Sequence, residues 1–439
     1  MAELNINRRD VVLAGVASGL VASPASGLAA CLPDGRTSNP ALLRQLDQDL
    51  KTHASFGIKL SGGMGDRKTG DWIAGRLKAA GFSVDRPAVT VPALDPSETR
   101  LVLDGGHSIE LFAQAPATVT PKDGVTAKVE LIYSTHQARS ATGAIAVVVV
   151  PYGRHAALFT GLVAPILDAA LAAKPAGIVL VPTGPTKEVI ALNTRLTPQP
   201  VPWAIMAPRD LPKLEEALGP DKRATLLVTG QSGSRQSSNV IATRKSGPNW
   251  LVLSTPRTGW FECVGERGTG TAAFLELAQW AARTYPDLSI LAMNSGGHEY
   301  DFIGTREATR SAPTPPERTK LWVHIGATLA ARDAQQLGDR VTGMLPSADP
   351  QRVLMTTDTI ASIAKDAFAG LSGYERPIAV VPGAGELGGI VAKGYDKAFA
   401  VLGIHRWLHT RLDDLEKVDA GLLLPVVEAH RSVMKSVLG

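Results

Sequence analysis

Cysteine is almost missing from this sequence. Only Cys31 and Cys263 occur among 439 residues, which excludes a disulfide framework. Aromatic residues reach 5%, and no run of lysine and arginine is interleaved with them, so a nucleic-acid-binding surface is excluded as well. The 45 basic and 41 acidic residues leave a net charge of +4, too little for a field of one sign. Apolar material is abundant: 44% of the chain is hydrophobic against 20% charged, enough for a real core and, at this length, for two domains.

Residues 1–31 read as a targeting segment. Asn7-Arg8-Arg9-Asp10-Val11-Val12-Leu13 resembles a twin-arginine export signal, and the stretch after it, rich in Ala, Gly and Val, ends in small residues near Ala25 to Ala30. Pro24 and scattered Gly and Ser make it a poor membrane span. The expectation is a periplasmic or exported protein, against an amphipathic N-terminal helix in a cytoplasmic one. Leu28-Ala29-Ala30-Cys31 resembles the lipoprotein cleavage box, which leaves Cys31 open to acylation, and so to a membrane anchor, or to life as a free thiol.

Farther on, 40–52 has helical spacing, and 66–80 predicts an amphipathic helix with Trp72, Ile73, Leu77 and Phe82 as its stripe and Gly81 as its stop. Ser61-Gly62-Gly63-Met64-Gly65 ahead of it reads as a turn; a phosphate cradle would want a preceding strand and a Lys-Ser/Thr ending. Residues 96–236 change to short strands with few helices and hold no acidic or histidine cluster, which predicts a non-catalytic insert that shapes access to a neighbouring site. After it, strands and helices alternate. Segments 238–242 and 250–254 read as paired strands, 268–283 as a helix, 288–293, 321–325, 378–381 and 398–403 as further strands, and 357–370 and 415–438 as helices. Such alternation predicts an α/β domain, formed by 32–95 and 237–439, with a mixed, mostly parallel central sheet and helices on both faces.

The chemistry gathers where strands end. Ser295-Gly296-Gly297-His298-Glu299 follows the apolar run at 288–293, placing an imidazole and a carboxylate at the end of a strand where α/β proteins bind ligands. Gly265-Glu266-Arg267-Gly268-Thr269-Gly270 opens a helix, and Leu408-His409-Thr410 follows the last strand. These segments, with Ser237-Ser238-Asn239-Val240-Ile241-Ala242 and Ile303-Gly304-Thr305, fall in the order and spacing of the family 28 zinc aminopeptidases, relatives of the glutaminyl cyclases. Gly65-Asp66 through Gly81-Phe82 is similar to that family's first helix, and 96–236 resembles a protease-associated domain inserted at this point.

The resemblance implies two zinc sites, and the departures are specific. Pro256 stands at the first histidine position and Gly326 at the later aspartate position; neither side chain coordinates metal, so the first site is lost. The second would fall on Glu266, Glu299 and His409, three protein ligands and one open position, as catalytic zinc uses. Both one zinc and a metal-free site are therefore carried forward. His298 takes the family's general-base position, where it can still move protons. Arg257 and the backbone amides of the glycine loop are the candidates for stabilising an oxyanion if no metal does. Glu386 can add a carboxylate to the cleft. His324 reads as a core or ligand-supporting histidine or as a ligand itself, Asp301 as a group that orients His298 or shapes a turn, Cys263 as a small buried hydrophobe or a nucleophile, and His405, Arg406 and Trp407 as a pocket wall or core.

Two functions follow. One is an exported hydrolase acting on an amide, peptide or related acyl bond of a small molecule or short peptide. The other is a metal-free relative that binds a ligand or runs a changed, cyclase-like or lyase-like reaction.

Overall fold

Strands of Val, Ile, Leu and Ala buried on both faces lie at the middle of the molecule, as a sheet covered by helices requires. The computed structural model describes residues 39–439 apart from 219–220, 313, 339 and 382–384; the expected targeting segment 1–31, with Cys31, lies outside the described residues. The central sheet has eight strands: β1 Ser83–Asp85, β2 Val240–Arg244, β3 Trp250–Pro256, β4 Ser289–Ser295, β5 Thr319–Ile325, β6 Arg352–Thr356, β7 Ile378–Ala379 and β8 Ala398–Gly403, in the order β1-β2-β4-β3-β5-β8-β6-β7. The run β4, β3, β5, β8 is parallel; β1, β2 and β6 pair antiparallel.

One strand expectation is corrected. β2 and β3 are adjacent in sequence but do not pair, because β4 lies between them and takes Ala292↔Ala242 on one side and Leu253↔Ala292 on the other. Alternating strands and helices fix the number of strands but not their order, which a crossover helix decides.

Helix α1 Pro40–Ser55, α2 Met64–Ala79, α3 Thr269–Thr284 and the C-terminal Ala420–Leu438 bury one apolar stripe each against one face of the sheet; Leu46, Leu50, Ile73, Leu77, Phe274, Leu277, Leu423 and Val427 meet β-strand residues such as Leu251, Leu253, Ile290 and Val323 in one core. Ile303–Arg310 and Gly385–Val391 lie on the other face, against Trp322, Leu291 and Ala400. No helix among the described residues is long and apolar enough to cross a membrane.

The second sheet has seven strands, and Ala88–Leu103 with Arg223–Ser238 form its longest ladder, from Ala88↔Ser238 to Leu103↔Ala224. This ribbon begins before residue 96, running through Pro92 and Pro96. The part beyond it, Val125–Ile132, Ile145–Val150, Gly177–Pro182 and Trp203–Ile205, is a parallel run with its own apolar layers. One of its few helices spans Val163–Ala172. Residues Ala41–Gly439 nevertheless cluster as one unit.

Candidate functional site

The parallel strands β3, β4, β5 and β8 all end on one side of the sheet, and the loops beyond them enclose a cavity of about 340 Å³. Pro256 lines it from the end of β3, His298 from beyond β4, His324 and Gly326 from β5, and His409 from beyond β8; Glu266, Arg267 and Glu386 complete its polar lining. Phe159, Phe302, Met355, Leu387, Leu402 and Leu408 make the walls apolar.

One polar cluster is centred on Glu386. His298 Nδ1 lies 3.3 Å from Glu386 Oε2 and His324 Nε2 lies 3.1 Å from the same oxygen, while Thr305 Oγ1 donates to Oε1. The His298 contact is off-axis for a hydrogen bond, so that pairing is electrostatic as it stands; such contacts tighten when substrate binds. His324 is fixed from behind. Trp322 Nε1 can only donate, to Ser254 Oγ at 2.8 Å, so the serine hydrogen goes to His324 Nδ1 at 2.9 Å and Nε2 carries the ring hydrogen toward Glu386. Burial alone would raise the Glu386 pKa, but His298 and then His324 hold its carboxyl well below the usual carboxylate range. Phe302 sets its ring edge-on to His298 at 4.9 Å.

The opposite cluster is centred on Glu266. The residues Val264–Gly268 form a π-helical turn at the start of α3, preceded by Cys263 in the left-handed region at φ 55. Strained turns of this kind gather at functional sites. Glu266 and Arg267 are consecutive in that turn, and both are buried. Arg267 Nη2 lies 2.7 Å from Glu266 Oε1 and its Nε donates to the Thr258 carbonyl. His409, itself left-handed at φ 58, reaches the same Glu266 oxygen with Nε2 at 3.1 Å and the Ala191 carbonyl with Nδ1 at 2.8 Å. A ring between two acceptors satisfies both only with hydrogen on each nitrogen. Burial pushes Glu266 upward, but Arg267, then His409, hold it far below its usual range.

Glu299 and Arg257 stand elsewhere. Glu299 is fully buried, accepts from Ser61 Oγ at 2.6 Å and is absent from the cavity lining; Ser61 lines a separate, apolar pocket with Trp260 and Tyr300. Arg257 is wholly buried beneath the sheet end, where Nε meets Asp66 at 2.7 Å, Nη1 meets Asn294 at 2.6 Å and Nη2 meets the Ser238 carbonyl. The sequence expectation that Arg257 faces an oxyanion is thus corrected: it follows Pro256 in the chain, but its side chain turns away to neutralise Asp66. Asp301 pairs with Arg306 rather than orienting His298. His405, Arg406 and Trp407 lie outside the cavity lining, and burial, with Glu266 and Asp413, pushes the Cys263 thiol well up, away from a nucleophilic thiolate.

A metal fits these residues poorly. Among the described residues the group with three metal-capable donors within 4.8 Å is Cys263, Glu266 and Asp413, and two of its members are already committed: Asp413 accepts the amides of Gly265 at 2.7 Å and Glu266 at 3.0 Å, and burial holds Cys263 as a thiol, while Glu266 Oε2 is buried without a partner. Glu299 is outside that group. A cation at Glu266 would touch the Arg267 guanidinium, a repulsion of about 4 kcal/mol per unit charge at ~4 Å and an effective dielectric of ~20. Nor is Gly326 a vacancy awaiting a ligand, since a Cβ there would stand 2.8 Å from the Val401 carbonyl oxygen and 3.0 Å from Leu402 Cβ.

Sequence reasoning missed Arg267, and its place beside a ligand position was the available signal. It also missed the insert's share. Loop residues around Ile190–Thr194 are buried against the site: Ala191 N donates to the His409 carbonyl at 3.0 Å, Thr194 N to the Glu299 carbonyl at 2.8 Å, and Asn193 lines the cavity.

No family model matches the chain, and no curated protein matches it. Solved structures do. The zinc aminopeptidase BSAP from Bacillus subtilis superposes with a TM-score of 0.68 at 15% identity over 90% of this chain and 95% of that one. The aminopeptidase from Aneurinibacillus sp. strain AM-1 gives 0.63 at 17% identity over 90% and 93%. At such identities the likeness is one of fold, and over nearly the whole described chain that fold is the one found in zinc aminopeptidases.

Proposed function

We propose that this protein is an exported acyl-bond hydrolase, acting on an amide, peptide or related bond of a small molecule or short peptide, and that His298 is its proton-transfer group. The observation that carries this reading is the pairing of His298 and His324 with the ionised Glu386 on the cavity wall. Glu386, 3.3 Å from Nδ1, orients the His298 ring and leaves Nε2 to act. Water gives its proton to that nitrogen as its oxygen bonds to the acyl carbon; the tetrahedral intermediate then breaks its bond to the leaving nitrogen or oxygen, which recovers the proton from His298. The apolar wall of Phe159, Phe302, Leu387 and Leu408 favours a substrate with an apolar side group.

The test is turnover by the purified protein of a panel of aminoacyl, small amide and ester substrates. His298→Ala is expected to lower the rate by roughly 10²–10⁴-fold, with the fold kept, since the ring is at the cavity surface. A rate unchanged in His298→Ala removes it from the mechanism; formation of a cyclic product without water uptake would instead favour the cyclase-like alternative.

A further inference from the structure

We propose that the guanidinium of Arg267 takes the place of the metal in this fold, neutralising Glu266 and supplying the positive charge that meets the substrate's developing oxyanion. The inference rests on the hydrolase reading for its catalytic half and on geometry alone for the other half.

Three observations converge. Glu266 stands at a ligand position of the zinc aminopeptidases that the motifs resemble, and the cation in contact with it here is Arg267, at 2.7 Å. The guanidinium also reaches back to the Thr258 carbonyl at 2.6 Å, two residues past Pro256, so it ties the π-helical turn to the segment beyond β3. It is built for the purpose, being only 3% exposed and carried on the π-helical turn. Arg267 lines the cavity, and its Nη1 has no protein acceptor among the described residues. His298 lines the same cavity. A fixed guanidinium beside an acyl carbon can stabilise an oxyanion through charge-assisted hydrogen bonds without reorganising. His409 Nε2 meets the same Oε1 at 3.1 Å, so that oxygen keeps two donor neighbours, while Oε2 is buried without a partner.

The experiment uses the full-length protein. Zinc chloride is titrated into it against a chelating dye; no zinc uptake at the site is expected, and one equivalent bound in wild type and lost in Glu266→Gln overturns the proposal. Arg267→Ala is expected to lose roughly 10²–10³-fold in turnover, to regain part of it with millimolar guanidinium ion, and to regain none with zinc. A variant that keeps its rate, or recovers it with zinc, also overturns the proposal. Should Arg267→Ala fail to fold, Arg267→Lys decides: retention of the charge predicts measurable activity indifferent to chelators, and full wild-type activity dependent on zinc contradicts it. A wild-type protein that cleaves no acyl substrate sinks the hydrolase reading, whereas the zinc titration still decides whether Arg267 holds the metal's place.

Discussion

At the scale of single residues, the site is decided by which charges find partners. Glu386 gathers two imidazoles and a hydroxyl, so it stays ionised where a buried carboxylate alone would not. Replacing it by Gln leaves the shape and removes the charge; turnover should fall by a sizeable share of the roughly 10²–10⁴-fold that proton transfer supplies, read as kcat at constant folded fraction. The depressed pKa values of Glu386 and Glu266 also set the acid limit of the fold. A carboxyl depressed in the folded state stabilises fully above its unfolded pKa, and that stability drains away as pH falls toward the folded one. Denaturant midpoints should therefore be flat above about pH 5 from these two groups and drop below it, less so in Glu386→Gln. Arg257 belongs to the same scale but to stability. Arg257→Met strands the buried Asp66, and the unfolding free energy should fall by about 3–5 kcal/mol while turnover per folded molecule changes little.

At the scale of elements, two backbone features carry the argument. The π-helical turn Val264–Gly268 sets Glu266 and Arg267 in the cavity together, and the crossing of β5 beside β8 leaves no room for a side chain at 326. Gly326→Asp, which would add a carboxylate at the cavity, is expected to lower stability by about 1–3 kcal/mol through overpacking and to bind no zinc; calorimetry reads both. The C-terminal helix Ala420–Leu438 provides a separate test. His430, buried between Phe368 and Phe399 with Nδ1 on the Val426 carbonyl, has its pKa lowered by burial to about 4. The unfolded chain then binds the proton first, so this group costs stability as pH falls from 6.5 toward 4 and costs nothing above. His430→Leu should therefore gain on wild type by roughly 3 kcal/mol between pH 7.5 and pH 4.

At the scale of the whole molecule, the insert is part of the site. The amides of Ala191 and Thr194 bond to the carbonyls of His409 and Glu299, so they should exchange hydrogen as slowly as the core strands β3 and β4. Exchange at loop rates would mean that the insert opens on its own and that the cavity wall is a door.

The alternation of strand and helix and the placing of His298, Glu386 and His409 beyond strand ends were legible in the sequence, because apolar periodicity and residue type are local properties. The order of β2, β4 and β3 was not legible, nor the turning away of Arg257, the exclusion of Glu299 from the cavity or the seating of the Ile190–Thr194 loop, because each depends on partners distant in the chain. By itself the sequence determined that Pro256 and Gly326 offer no coordinating side chain, since no backbone arrangement gives them one. Only the tertiary structure decided what stands there instead, since whether a buried carboxylate meets an ion, a guanidinium or water is settled by which charges the packed loops bring within a few ångströms of it.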